Sequence, residues 1–125
     1  MIKQKFDFPA RLRLNKPIQF KSVFDLPTRS TDKYFTVLAR KNELDFPRLG
    51  LVIAKKNIKK ATNRNKIKRM IRESFRTEQH LLGAIDFVVL TRYQTGDVTV
   101  ERLKVSLKKH WQKLQKNAFY TDSIN

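Results

Sequence analysis

The sequence predicts one domain of mixed helix and sheet, with helices covering the sheet and one pair of strands running parallel. Three observations carry this. Residues 48–54 (RLGLVIA) and 85–91 (IDFVVLT) are near-continuous apolar runs of strand length, the pattern of strands buried on both faces. A long amphipathic helix separates them, and a strand–helix–strand unit of that kind joins parallel neighbours. A second helical stripe follows, and 125 residues fit a single domain spanning 1–125.

Residues 1–13 are basic and lack apolar periodicity, so they read as an arm that orders on binding. Asn15 can cap a helix that tolerates Pro17 in its first turn. Phe20 and Phe24 stand one turn apart on it, and their shared face is either core or a stacking surface. Pro27 and the polar TRSTD segment end it. Residues 33–40 (KYFTVLAR) read as a strand, with Tyr34, Thr36 and Leu38 on one side and Phe35, Val37 and Ala39 on the other. Residues 41–47 connect it to the run at 48–54. The long helix follows directly, with Asn57 or Thr62 as its cap, and ends near Gly83. After the run at 85–91, residues 92–97 form a turn around Gly96. The last helix, 98–117, carries the stripe Val100, Leu103, Leu107, Trp111 and Leu114, with a frayed tail at 118–125.

The charge is concentrated. Lys and Arg number 28 against 11 acids, a formal charge of +17 and a pI near 10.6, which calls for a polyanionic partner. Residues 55–76 hold ten of these cations and one acid, Glu73. Ile67, Met70, Ile71 and Phe75 recur at helical spacing, and Arg64, Lys68, Arg72 and Arg76 form a basic row on the adjoining arc. The stripe docks the helix, and the row is held toward phosphate, where arginine offers a bidentate fork and lysine a point charge. Phe20, Phe24 and Tyr34 are candidate rings for stacking bases, which favours single-stranded nucleic acid.

Protein-borne catalysis finds no foothold. His80 and His110 lie far apart, with His110 expected in a partly exposed packing role beside Trp111. The acids are scattered without a metal-binding spacing, and the three glycines are too far apart to cradle phosphate. With no cysteine, disulfides and thiolate sites are excluded. No apolar run approaches ~18 residues, the N-terminus has no signal-peptide pattern, and a cytoplasmic protein is expected.

The run ATNRNKIKRMIRESFR, preceded by LGLVIAKKN, resembles the signature of the bacterial ribonuclease P protein subunit. That hallmark, an Arg-Asn-Arg-x-x-Arg-like spacing on a helix after an Ala/Ser-Lys-Lys strand end, is matched by Ala54, Lys55, Lys56, Arg64, Asn65, Lys66, Lys68, Arg69 and Arg72. The likeness extends over RLRLNKPIQFKSVF, IDFVVLTR and the C-terminal helix. The resemblance implies an α+β fold, an α/β sandwich with a central mixed sheet of about four strands. Its topology is that of ribosomal protein S5 domain 2, with a left-handed crossover carrying the basic helix. It further implies a non-catalytic protein subunit of an RNA-based endoribonuclease that removes the 5′ leader of precursor tRNA. Expected partners are ribonuclease P RNA and precursor tRNA, with neither membrane nor DNA, and Mg2+ is held mainly by the RNA. Lys55, Lys56, Arg64, Asn65, Lys66, Lys68, Arg69, Arg72 and Arg76 would bind the catalytic RNA. Phe20, Phe24, Thr36, Leu38 and Arg92 would bind the leader. Lys66 stands where the family has its second arginine, keeping charge but losing the planar fork. Leu38 stands where a tyrosine is common, so that position offers no ring. The alternative is a structural RNA-binding protein of another ribonucleoprotein, such as the ribosome.

Overall fold

The computed structural model describes residues 10–124 except Gln94, and for Asp97 and residues 117–124 the backbone alone. Three helices, α1 (Pro17–Asp25), α2 (Ala61–Leu82) and α3 (Val100–Ile124), pack on four strands, β1 (Thr28–Thr31), β2 (Phe35–Lys41), β3 (Arg48–Val52) and β4 (Ile85–Thr91). The strand order is β1-β2-β4-β3. β1 and β2, and β2 and β4, pair antiparallel, and β3 and β4 pair parallel as the strand–helix–strand unit requires. This is the mixed four-stranded α+β sandwich that the resemblance implied.

β4 is central, and its side chains are buried on both faces apart from a half-buried Leu90. Phe35, Val37 and Ala39 of β2, Phe87 and Val89 of β4 and Leu49 of β3 face α2 and α3. Leu38 and Val88 face α1, beneath Val23 and Phe20. The α2 stripe Ile67, Met70, Ile71 and Phe75 and the α3 stripe Leu103, Leu107, Trp111 and Leu114 are buried as their spacing required. Phe75, Phe87 and Trp111 meet edge-on with centroids 6.4, 6.0 and 5.2 Å apart. Such pairs each add about 0.5–1.5 kcal/mol beyond burial. The Trp111 indole N–H donates to Ser74 Oγ at 2.9 Å, satisfying its polar edge across the two helices.

Several expectations are corrected. Thr28–Thr31, read only as part of the polar segment that ends the first helix, is an edge strand; only Ser30 of it is buried, so no apolar alternation announced it. α1 begins after Lys16 rather than Asn15, because the Gln19 side chain reaches back to accept from the Asn15 and Lys16 amides at 2.9 and 3.0 Å. β3 stops at Val52; Leu49 and Gly50 are buried on opposite faces as expected, but Leu51 is half-buried and Val52 exposed, so the burial does not extend along the strand. α2 is capped at Lys60, neither at Asn57 nor at Thr62. The Asn57 amide is committed elsewhere, donating to the Thr91 carbonyl at 2.9 Å. Gly83 terminates α2 with φ 75°, a conformation an L side chain resists. α3 starts at Val100, and its backbone is helical past Asn117, to Ile124.

The arm expected over residues 1–13 gives way at Ala10. Ala10–Leu12 form a 3-10 turn with Leu12 buried, and Arg13 bridges to Leu49 of β3. Residues 1–9 lie outside the described residues.

Candidate nucleic-acid interface

The α2 row splits by function. Arg64 donates through Nη1 to the carbonyls of Ile58 and Lys59 at 2.9 and 2.8 Å, so it fastens the turn leading into the helix. Arg76 pairs with Glu73 one turn back, and the same contact holds the Glu73 carboxyl below its usual range. Between them, Lys68 and Arg72 pair with no carboxylate among the described residues, and Arg72, Arg69, Asn65 and Lys66 are exposed. Arg13, Asn65, Lys68, Arg69, Arg72 and Arg76 line one open groove between α2 and the 3-10 turn, with Glu73 its single carboxylate. Lys55 and Lys56 sit exposed in a turn ahead of the helix rather than on it.

The second element is the sheet face under α1. Cross-strand register places Thr31, Thr36, Leu90 and Val52 in one row and Arg29, Leu38, Val88 and Gly50 in the next. α1 covers the second row. A Cβ added at Gly50 would stand 2.6 Å from Phe20 Cε1, so the Phe20 ring lies directly on that glycine. Arg40 Nη1 donates to the Ser22 carbonyl at 2.7 Å and ties α1 to β2. The first row lies less deeply buried, with Thr36 and Leu90 half-buried and Val52 38% exposed. One flank of the face is fixed by Arg48, whose Nε and Nη2 donate to the two Asp86 oxygens at 2.8 and 2.7 Å.

Phe20 is half-buried and Phe24 is 44% exposed, so the two rings differ: one floors the α1 contact and one faces outward. Tyr34, expected as a stacking ring, is 7% exposed and belongs to the α2–α3 core. Leu38 is 3% exposed beneath α1, so it supports the face from below and presents no side chain to a ligand. Arg92 is half-buried, with Nη1 donating to the Asp32 carbonyl at 2.8 Å. The sequence reading missed Val52, Leu90 and Arg29, which only strand register brings to this face, and the exposed ring of Tyr93 in the following turn. An aromatic in a polar turn was the one signal for Tyr93.

His110 is 4% exposed, correcting the partly exposed role. Its Nδ1 lies 2.6 Å from Ser30 Oγ and its Nε2 3.1 Å from Asp32 Oδ2. Burial lowers the imidazole pKa, with Asp32 opposing. Burial alone would raise the Asp32 pKa, but the Ser106 hydroxyl and the Phe35 and Tyr34 amides donate to the carboxylate and hold it below its usual value. The cluster clamps β1 to α3. Ser30 is itself buried, which denies it a substrate.

A sheet with one face packed by two helices, an open row beside α1 and a groove along a crossover helix where cations outnumber carboxylates defines a basic α+β nucleic-acid-binding protein. Comparison with known proteins narrows the class. The ribonuclease P family model matches residues 8–115. The ribonuclease P protein component of Haemophilus influenzae is 49% identical over 109 residues, covering 87% of this chain and 92% of that one. That of Methylococcus capsulatus is 48% identical over 108 residues, covering 86% and 84%. The Staphylococcus aureus RNase P protein structure superposes with a TM-score of 0.74 at 31% identity, over 86% of this chain and 94% of that one. The Thermotoga maritima RNase P protein gives 0.72 at 33%, over 81% and 96%. The chain belongs to the ribonuclease P protein component family, the protein subunit of the ribonucleoprotein that acts in tRNA 5′ processing, and its partner is ribonuclease P RNA.

Proposed function

We propose that the chain divides its two elements between two RNAs. The α2 groove, through Asn65, Lys66, Lys68, Arg69 and Arg72 with Lys55 and Lys56 before it, takes the phosphate backbone of ribonuclease P RNA. Arg64 and Arg76 shape that groove. The open row Thr36–Leu90–Val52, with Phe20 beside it and the exposed Phe24 on the same helix, takes the single-stranded 5′ leader of precursor tRNA, with Leu38 supporting α1 in the neighbouring row and Arg92 fixing its end. The cleavage itself belongs to the RNA, together with Mg2+ that the RNA holds. Among the described residues no group of three or more His, Cys, Asp or Glu side chains is placed to bind a metal. No described helix is long and apolar enough to cross a membrane. We place the complex in the cytoplasm, where tRNA is processed.

The observation that carries this reading is the set Lys68, Arg69 and Arg72, which pair with no carboxylate among the described residues and stand in one groove on a docked helix. Fixed like charges repel one another until a polyanion neutralises them, and a charge of +17 also lowers the repulsion between two RNAs. The test is reconstitution with a bacterial ribonuclease P RNA at low magnesium. Leader removal should accelerate when the protein is added, and protein alone should cleave nothing. Unchanged cleavage, with association to ribosomal RNA instead, would support the structural RNA-binding alternative.

A further inference from the structure

The α2 groove occupies one edge of the helical layer, and the opposite edge carries positive charge that this site does not use. On α3, Ser106 and His110 turn toward β1 through Asp32 and Ser30, while Trp111 turns toward α2 through Ser74. These contacts fix the rotation of the helix, and at roughly 100° per residue the remaining positions follow. Lys104 and Lys108 fall on the α2 side, in a groove that also holds Glu73 and Glu78. Arg102, Lys109, Lys113 and Lys116 fall on the other flank, beside β1, and all four are exposed. No carboxylate among the described residues pairs with any of them. Asp32, on the neighbouring turn, spends its carboxylate inward on Ser106 and on the Tyr34 and Phe35 amides. From the edge strand and the turn after it, Arg29 and Lys33 are exposed as well. Arg29 shares its cross-strand row with Leu38 and Gly50. The cationic band therefore passes from α3 around β1 to the face that α1 borders.

We propose that this α3 flank is a second RNA-binding surface, gripping the phosphate backbone of a segment that passes over the edge of β1. Along a helix rising about 1.5 Å per residue, the four cations are spread over about 21 Å, enough to track several phosphates of an extended strand. Three are lysines, point charges that read charge without base geometry. Among the described side chains of this helix, the large apolar one that is exposed is Val105, which cannot stack a base. Because the band runs on through Arg29 to the face that α1 borders, the phosphates are those of the 5′ leader upstream of the open row. Naming the leader rests on the proposed function; the flank itself does not.

The test uses full-length protein carrying Lys109→Gln, Lys113→Gln and Lys116→Gln together, and a second protein with Lys113→Gln alone. Affinity is measured across salt for ribonuclease P RNA, and, in the assembled holoenzyme, for precursors with short and long leaders. In the holoenzyme the triple variant should bind the long-leader precursor at least tenfold more weakly and the short-leader precursor as wild type does. Its log affinity against log salt should be shallower by about 2–3, and that of the single variant by about 0.7–0.9. Loss confined to long leaders supports the inference, and loss toward ribonuclease P RNA that does not depend on leader length overturns it. Unchanged affinity and slope in both arms, with circular dichroism and thermal midpoint as in wild type, overturns the inference. A wild type that does not bind ribonuclease P RNA would instead refute the preceding reading.

Discussion

Gly50→Ala tests the α1 contact in a way that fixes both sign and size. Gly50 does not need glycine for its backbone, since Gly83 holds the positive φ among the described residues. What it gives is space. The new Cβ would meet Phe20 at 2.6 and 2.8 Å and Leu14 Cβ at 3.1 Å. Carbon atoms rest at about 3.5–4.0 Å, so the ring must retreat by about 1 Å. Overpacking of this kind costs about 1–3 kcal/mol. The loss of glycine's freedom in the unfolded chain returns about 0.4–1 kcal/mol. The net is a destabilisation of about 1 kcal/mol, or about 3–5 °C in thermal midpoint for a domain this size. A ring lifted off the sheet also no longer borders the open row. A stacked base contributes about 1–3 kcal/mol, so holoenzyme affinity for leader-bearing precursor should fall about tenfold while mature tRNA is unaffected. In a Phe20→Leu background the stability cost of Gly50→Ala should shrink, because the ring is what the methyl meets. An alanine variant that melts at or above the wild-type temperature and binds precursor normally would refute the reasoning.

Three further outcomes are expected. Replacing Lys68 and Arg72 together by glutamine should weaken ribonuclease P RNA binding and make its salt slope shallower by about 1.5–2 in a titration across salt, with the melting temperature unchanged. Arg48→Ala leaves the Asp86 carboxylate, 7% exposed, without its bidentate partner and should cost about 3 kcal/mol in urea unfolding, whereas a cost under about 0.5 would show the pair to be incidental. Because the folded pKa of His110 lies below the ordinary 6.5, its neutral form carries stability that is present above that value and is lost as pH falls below it. Asp32, depressed below 3.8, adds stability that is lost only at still lower pH. Chemical denaturation at pH 7.5 and pH 5.5 should therefore differ in wild type and differ less in His110→Gln.

Where the physics was local, the sequence was enough. The α2 stripe, β4 and the α3 stripe follow from spacing alone, and each docks as its pattern required. The cationic groove was legible for the same reason, since one helix carries most of it. What escaped depends on partners distant in the chain. Thr28–Thr31 is a strand because β2 offers it a ladder, not because its residues favour one. Asn57 looked like a cap until Thr91, 34 residues on, claimed its amide. His110 is buried because Ser30, 80 residues away, meets its ring. The open row is assembled from three strands by register, so Val52 and Leu90 could not be assigned to it beforehand, and Leu38 could not be seen to lie under α1.

The division of labour between the two surfaces is open to direct mapping, because the chain has no cysteine and each introduced thiol is unique. Val52→Cys and Arg69→Cys would each carry a tethered iron chelate in the assembled holoenzyme with bound precursor tRNA, and the strand breaks would be mapped on both RNAs. The account predicts breaks in the 5′ leader from position 52 and in ribonuclease P RNA from position 69, with little overlap. Breaks from position 52 confined to ribonuclease P RNA, or from position 69 confined to the leader, would contradict it.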